Sequence, residues 1–198
     1  MPRSSAIKTG TILKRNKTGP VRKRGVFPAT FNPPTTAHLA IAEAAWRQHN
    51  LDEVHLVLSE RPLDKDSVTR PTLDERVAVT RASVAQHRWA EVSVTSHQLL
   101  ADIAADFDVL IMGADKWEQL HELRYYQSTD HMQMALASLP TLAIAPRAGS
   151  LLDIPAEVLL TLPADMTTIS STAARAGAVD LMTPAARAWA DANGGWPQ

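Results

Sequence analysis

Short β-branched runs alternate with longer helix-patterned stretches along this chain, which predicts an α/β protein: an open, mostly parallel sheet with helices on both faces. The stretch "DVLIMGAD" agrees, because its unbroken apolar run from Val109 to Met112 suits a strand covered on both sides. At 198 residues the chain has the length of one domain and can bury a core without disulfides.

Arg24 to Pro28 reads as the first strand. Ala37 to His49 reads as the first helix, with Leu39, Ile41, Ala42, Ala45 and Trp46 as its apolar face. Val54 to Ser59 is the second strand. Thr72 and Glu75 have capping-box spacing, so a helix is expected from Leu73 to about Gln86, followed by a strand from Glu91 to Thr95. A helix near Gln98 to Ala105 precedes the buried run, which Gly113 ends. Another helix is expected over Thr129 to Ser138, then a strand from Thr141 and a short strand around Val158 to Leu162. Ser170 or Ser171 caps a short helix. Thr183 followed by Pro184 starts the last one, which stops near Gly194.

Hydrophobic residues make up 45% and charged residues 21%, with a formal net charge of -1, so overall composition favours no class of partner. The distribution is uneven. Eight of the twenty basic residues precede Gly25 and no acid does, leaving an acidic body behind a basic leader over residues 1–20. Without interleaved aromatics the leader reads as a solvated tail rather than a nucleic-acid surface, and residues 21–198 as the single domain. With no cysteine, disulfides, thiolate metal sites and cysteine nucleophiles are excluded, and a reducing, cytoplasmic location is expected. No apolar run approaches the roughly 18 to 20 residues that span a bilayer, so no membrane partner is expected.

In open parallel sheets the ligand crevice lies beyond the carboxyl ends of the strands, which directs attention to the loops after Phe27, Ser59, Met112 and Ala145. The first of these, Ala29 to His38, joins a strand to a helix N-terminus, where N–H groups and the helix dipole favour an anion. Neither the Walker lysine pattern nor G-x-G-x-x-G is present. His38 and, one turn earlier, Thr35 are the polar side chains that could meet a phosphate there, with a satisfied structural histidine as the alternative for His38. In "TTISSTAAR", Arg175 follows Thr172 by three positions, which puts guanidinium and hydroxyl on one helix face. Hydroxyls, free N–H groups and a forked cation together suit a polyphosphate; an ordinary capped helix is the alternative.

These motifs resemble the (H/T)-x-G-H nucleotidyltransferases, and most closely the nicotinamide or nicotinate mononucleotide adenylyltransferases. "ATFNPPTTAH" is similar to their G-[ST]-F-[DN]-P-[PI]-[HT]-x-G-H loop, "LIMGAD" to their strand ending in G-A-D, and "ISSTAAR" to their I-S-S-T-x-x-R. The resemblance runs from about Gly25 to the C-terminus and implies a Rossmann-like sheet of the nucleotidyltransferase type. It also implies transfer of AMP from ATP to the 5′-phosphate of a mononucleotide, with Mg²⁺ as cofactor and ATP and the acceptor phosphate as partners. Relatives often assemble, so a homo-oligomer is compatible with it.

Carried over by position, Thr30 and Phe31 would offer N–H groups to phosphate, and Thr35 and His38 would stabilise the α-phosphate. Ser171, Thr172 and Arg175 would hold the departing phosphates, and Gly113 and Asp115 would meet the ribose, with a helix cap as the alternative for Asp115. Lys65 stands where relatives often carry a lysine reaching phosphate and Arg76 where a helix arginine is common; both are candidate phosphate or acceptor contacts, with solvated surface charge as the alternative for each. Arg147 occupies the place of an arginine that usually follows the next strand. Trp117, Tyr125 and Tyr126 are candidates to stack on a pyridine ring or to pack in the core. No protein metal ligand is identified. The chain departs from the pattern at Pro28 and Ala29, which replace a small, usually glycine-containing pair, and at Ala37, which replaces glycine. It also has a shortened segment from Val92 to Leu110. These departures leave open a nucleotidyltransferase with another phosphate acceptor, or a nucleotide-binding protein with impaired catalysis.

Overall fold

Five strands, β1 (Arg24–Pro28), β2 (Glu53–Ser59), β3 (Ala90–Thr95), β4 (Val109–Gly113) and β5 (Thr141–Ala145), pair in the order β3-β2-β1-β4-β5, every pair parallel. The structure is a computed structural model and describes residues 22–61, 70–148 and 153–197; the basic leader over 1–20 lies outside the described residues. The helices are α1 (Thr36–Gln48), α2 (Leu73–Val84), α3 (Leu100–Ala104), α4 (Ala114–Leu120), α5 (Thr129–Ala137), α6 (Ser171–Arg175) and α7 (Pro184–Ala192). None of them is long and apolar enough to cross a membrane.

Side chains alternate between the two faces of the sheet, and each face is covered. Phe27, Leu56, Leu58, Val109 and Ile111 meet Ala42, Ala45 and Trp46 of α1 and Val77 and Val84 of α2. Val26, Val57, Leu110, Met112 and Ile144 meet Ile103 of α3, Leu120 of α4 and Leu136 of α5. The central strands read as continuous apolar runs because both faces are buried. Truncating a side chain such as Ile111, 0% exposed, to alanine costs about 2 to 5 kcal/mol. Gly25 is small for a packing reason: a Cβ there would lie 2.7 Å from Leu51 Cδ1 and 3.1 Å from Ile111 Cδ1. A third cluster joins the outer side of α2 at Val79 to Ala174 of α6, Ala186 and Ala190 of α7, and Trp196.

The helix starts follow from their caps. Thr72 and Glu75 form the expected capping box, with the Thr72 N–H donating to Glu75 Oε2 at 2.7 Å and the Glu75 N–H to Thr72 Oγ1 at 3.3 Å. Ser170 caps α6, and Thr183 caps α7 with Pro184 in the first turn.

Two elements differ from expectation. The stretch expected as a strand around Val158 to Leu162 is a 3-10 turn, Ala156–Val158, followed by one parallel bridge from Leu159 to Ile144. Pro155 and Pro163, which have no N–H for a ladder, confine the pairing to that rung. Helix α4 was not expected; its first residue directly follows Gly113, so strand and helix signals run together.

Pro28 also has a structural reason. The Ala29 N–H donates to the Val57 carbonyl at 3.0 Å, so Ala29 faces β2 and the preceding residue faces β4. The β1–β4 register stops at Val26 with Leu110, where the next donor would come from Pro28. The proline therefore ends the ladder on one side, and β1 and β4 open apart at the reversal of strand order, where such sheets bind ligands.

Candidate functional site

A cavity of about 330 Å³ opens at this reversal point, beyond the carboxyl ends of β1, β2 and β4. Its walls come from the β1–α1 loop, the start of α4, the 3-10 turn Leu123–Tyr125 with Tyr126 after it, Arg147 after β5, and α6. Among its described lining residues, His38, Lys116, Arg147 and Arg175 stand against one carboxylate, Asp115, so the cavity suits an anion.

The β1–α1 loop is built around His38. Thr35 is the N-cap of α1, and His38, at the third helical position, closes a capping box with its imidazole in place of the usual carboxylate. The Thr35 N–H donates to His38 Nδ1 at 3.0 Å, and Thr35 Oγ1 lies 2.8 Å from the same nitrogen. A backbone amide can only donate, so Nδ1 is the acceptor nitrogen and the ring proton sits on Nε2. Phe31 and Phe27 back the imidazole, with ring centroids 5.0 and 6.0 Å from it. Phe31 is 1% exposed and adopts φ 44, in the left-handed region that is costly for a bulky residue.

Thr35 was expected to face phosphate beside His38. It lines the cavity but is only 1% exposed, and its hydroxyl is engaged with the imidazole and the first turn, a contact that orients His38.

Helix α6 is tied to the same loop. The Ser171 hydroxyl donates to the Pro33 carbonyl at 2.9 Å, and Arg175 donates through Nη1 to the Asn32 carbonyl. Arg175 Nη2 lies 3.3 Å from Thr172 Oγ1, the i, i+3 pairing expected from the spacing. Ser170, Ser171, Thr172 and Arg175 line the same cavity as His38. Asn32 is a junction: its side-chain oxygen also accepts the Trp196 indole N–H at 2.6 Å.

Gly113 lies at the end of β4, where an added Cβ would meet nothing within 4 Å, so it leaves open space on the cavity side. Asp115 makes no cap hydrogen bond; its carboxylate lies 3.4 Å from Arg147 Nη1. Thr30 and Arg147 line the cavity as well, whereas Phe31 backs it.

The cation and aromatic expectations divide. Lys65 lies outside the described residues. Arg76 is neither on the surface nor on the cavity wall: it is 3% exposed and donates through Nη1 to the Thr30 carbonyl at 2.8 Å. Burial lowers its pKa from the ordinary arginine value. Trp117 packs on the apolar face formed by α3, α4 and β4, with its ring edge-on to His121 at 4.8 Å, so core packing accounts for it. Tyr125 and Tyr126 do line the cavity. The Tyr126 hydroxyl donates to the Leu120 carbonyl at 2.9 Å, and burial raises its pKa, which keeps the phenol a donor. The Tyr125 hydroxyl is buried with no hydrogen-bond partner among the described residues, and Arg124 lies over its ring at 4.7 Å.

Two participants went unrecognised in the sequence. Lys116 follows the G-A-D directly and lines the cavity, its ammonium 2.5 Å from Gln119 Oε1; its place beside that motif was the available signal. The Trp196–Asn32 bond joins positions 164 apart, and no local pattern announces it.

Comparison with known proteins agrees with this geometry. Residues 26–177 match the cytidylyltransferase-like family. A protein of Methylibium petroleiphilum named probable nicotinate-nucleotide adenylyltransferase is 28% identical over 79% of this chain and 79% of its own length. Proteins of the same name from Methylorubrum extorquens and Solibacter usitatus are 32% identical over 66% of this chain and 73% of theirs, and 27% identical over 85% and 96%. The chain belongs to the cytidylyltransferase-like family: it is a nucleotidyltransferase, and it resembles the nicotinate-nucleotide adenylyltransferases.

Proposed function

We propose that the protein transfers the adenylyl group of ATP to the 5′-phosphate of nicotinate mononucleotide, with nicotinamide mononucleotide as the alternative acceptor, in the formation of a pyridine dinucleotide. The acceptor phosphate oxygen forms a bond to the α-phosphorus as the bond to the departing pyrophosphate breaks, and pyrophosphate carries away the electron pair. The observation that carries this reading is the imidazole held with its proton on Nε2 in one cavity with Ser171, Thr172 and Arg175.

In this reading the His38 Nε2–H donates to an α-phosphate oxygen as charge develops, while Arg175 and the hydroxyls at the start of α6 hold the phosphates that depart. His38 gives a hydrogen bond and needs no role as a base. Gly113 leaves space for the ribose, and Tyr125 and Tyr126 with Leu99 and Leu100 offer an apolar wall for a ring.

Magnesium, when bound, supplies positive charge to the triphosphate. Among the described residues no group of three or more His, Cys, Asp or Glu side chains could hold a metal, and the one lining carboxylate, Asp115, is paired with Arg147. That donor set fits an ion carried by phosphate oxygens and water.

The test is incubation with ATP, magnesium and a panel of acceptors: nicotinate mononucleotide, nicotinamide mononucleotide, pantetheine phosphate and glycerol phosphate, following pyrophosphate release. Turnover with a pyridine mononucleotide supports the reading. Turnover with another acceptor moves the protein to another branch, and ATP binding without turnover on any acceptor overturns catalysis.

A further inference from the structure

We propose that Arg76 is a positioning residue for anion binding, a guanidinium buried behind Thr30 whose counter-charge arrives with the polyphosphate. This role rests on the adenylyl-transfer reading.

Buried charges are ordinarily paired, because removing an ion from water costs several kcal/mol that an opposite charge must offset. Arg76 is 3% exposed, yet among the described residues no carboxylate pairs with it. Its Nε is buried without a partner, and Nη1 meets a neutral carbonyl. The adjacent acid is committed elsewhere, since Glu75 Oε2 accepts both the N–H and the hydroxyl of Thr72. Side-chain packing alone gives no reason for a cation here.

Its location supplies one. Thr30 lines the cavity and Arg76 does not, so the bond to Arg76 turns the Thr30 carbonyl, the electronegative end of that peptide, away from an anion in the cavity. The peptide is planar and trans, so the Phe31 N–H points opposite to that carbonyl. Among the described residues no acceptor takes this N–H. Arg76 thus does two things through Thr30: it fixes the loop peptide with its donor forward, and it places a positive charge one peptide group behind the phosphates.

The test compares Arg76→Met, which keeps volume and removes charge and donors, with Arg76→Lys, which keeps the charge. For each, thermal unfolding is measured with and without magnesium and ATP, together with kcat and KM for ATP and nicotinate mononucleotide. The expected result is that Arg76→Met loses most of the ATP-induced rise in Tm and falls about 100-fold in kcat, the scale of a misplaced catalytic loop, while Arg76→Lys keeps the larger share of both. An ATP-induced rise and kcat in Arg76→Met equal to the wild type's overturn the proposal, whatever its Tm without ligand. Should Arg76→Met fail to fold, Arg76→Gln decides, since it keeps a polar side chain but neither the charge nor the reach of Nη1 to Thr30: loss of the rise supports the role of the guanidinium, and an unchanged rise overturns it. If wild-type protein binds ATP but turns over no acceptor, the adenylyl-transfer reading fails, and the ATP-induced rise still tests Arg76.

Discussion

Thr35 and His38 act as one unit, and a double-mutant cycle tests this. If His38 donates to the developing charge as proposed, His38→Ala loses about 3 to 4 kcal/mol in transition-state stabilisation and about two to three orders of magnitude in kcat. Thr35→Val keeps the shape of a side chain that is 1% exposed but removes the hydroxyl. That deletes the cap on the His38 N–H, worth about 1 kcal/mol of stability, and one of two contacts holding Nδ1. The Thr35 N–H, 3.0 Å from Nδ1, remains, so the imidazole is loosened rather than released. We expect kcat to fall about tenfold, or about 1.4 kcal/mol. In the His38→Ala background there is no ring to orient, and Thr35→Val should cost nothing further in kcat while still lowering Tm. The assay is pyrophosphate release at saturating ATP and acceptor for the four proteins. Multiplicative losses, with coupling within about 0.5 kcal/mol of zero, would show that the Thr35 hydroxyl meets substrate on its own and would refute this account.

Gly113→Ala should change stability little, since φ -81 suits alanine and its methyl group meets nothing while alanine is the poorer N-cap for α4, yet should raise KM for ATP because that methyl enters the proposed ligand's space. An unchanged KM would place the nucleotide elsewhere. Pro28→Gly should destabilise by about 0.5 to 1 kcal/mol through the unfolded chain and leave kcat nearly unchanged, because the proline ends the β1–β4 ladder; a large gain in rate would mean that it impairs the site. The Thr72 backbone N–H, then its hydroxyl, hold the Glu75 pKa below its ordinary value. Since the unfolded chain then binds the proton more readily, the Glu75 contribution is present above the unfolded pKa and is lost as pH falls through the folded one. The stability difference between wild type and Glu75→Gln, from urea unfolding, should therefore shrink below about pH 4; a difference independent of pH would remove the charge from the capping box.

Local physics was legible in the chain because it acts over a few residues. β1 occupies Arg24–Pro28 as the apolar run and proline indicate, α2 begins where Thr72 and Glu75 set it, and α6 follows the Ser170 cap. Four of the cavity's lining residues were legible for the same reason: His38, Ser171 and Thr172 sit in the first turns of their helices, and Arg175 follows Thr172 by three positions on the same helix face. Helix α4 was missed because a seven-residue helix directly after a strand shows too little periodicity to separate from it.

Tertiary structure decided the rest, for reasons of packing. "DERV" and "GADKW" do not tell whether Arg76 is solvated or buried, or whether Trp117 meets a ligand or a core, because burial depends on which distant elements cover the side chain. Arg76 is covered where α2 lies over the loop at Thr30, and Trp117 where α4 lies over β4. Ser171, Arg175 and Trp196 hold the loop at Pro33 and Asn32 across 138, 143 and 164 positions, a closure that only the parallel crossovers bring about. The sequence by itself determined which residues cap helices and carry charge at strand ends. The fold decided which of those charges face the cavity and which stand behind it, because a side chain's surroundings are fixed by elements far away in the chain.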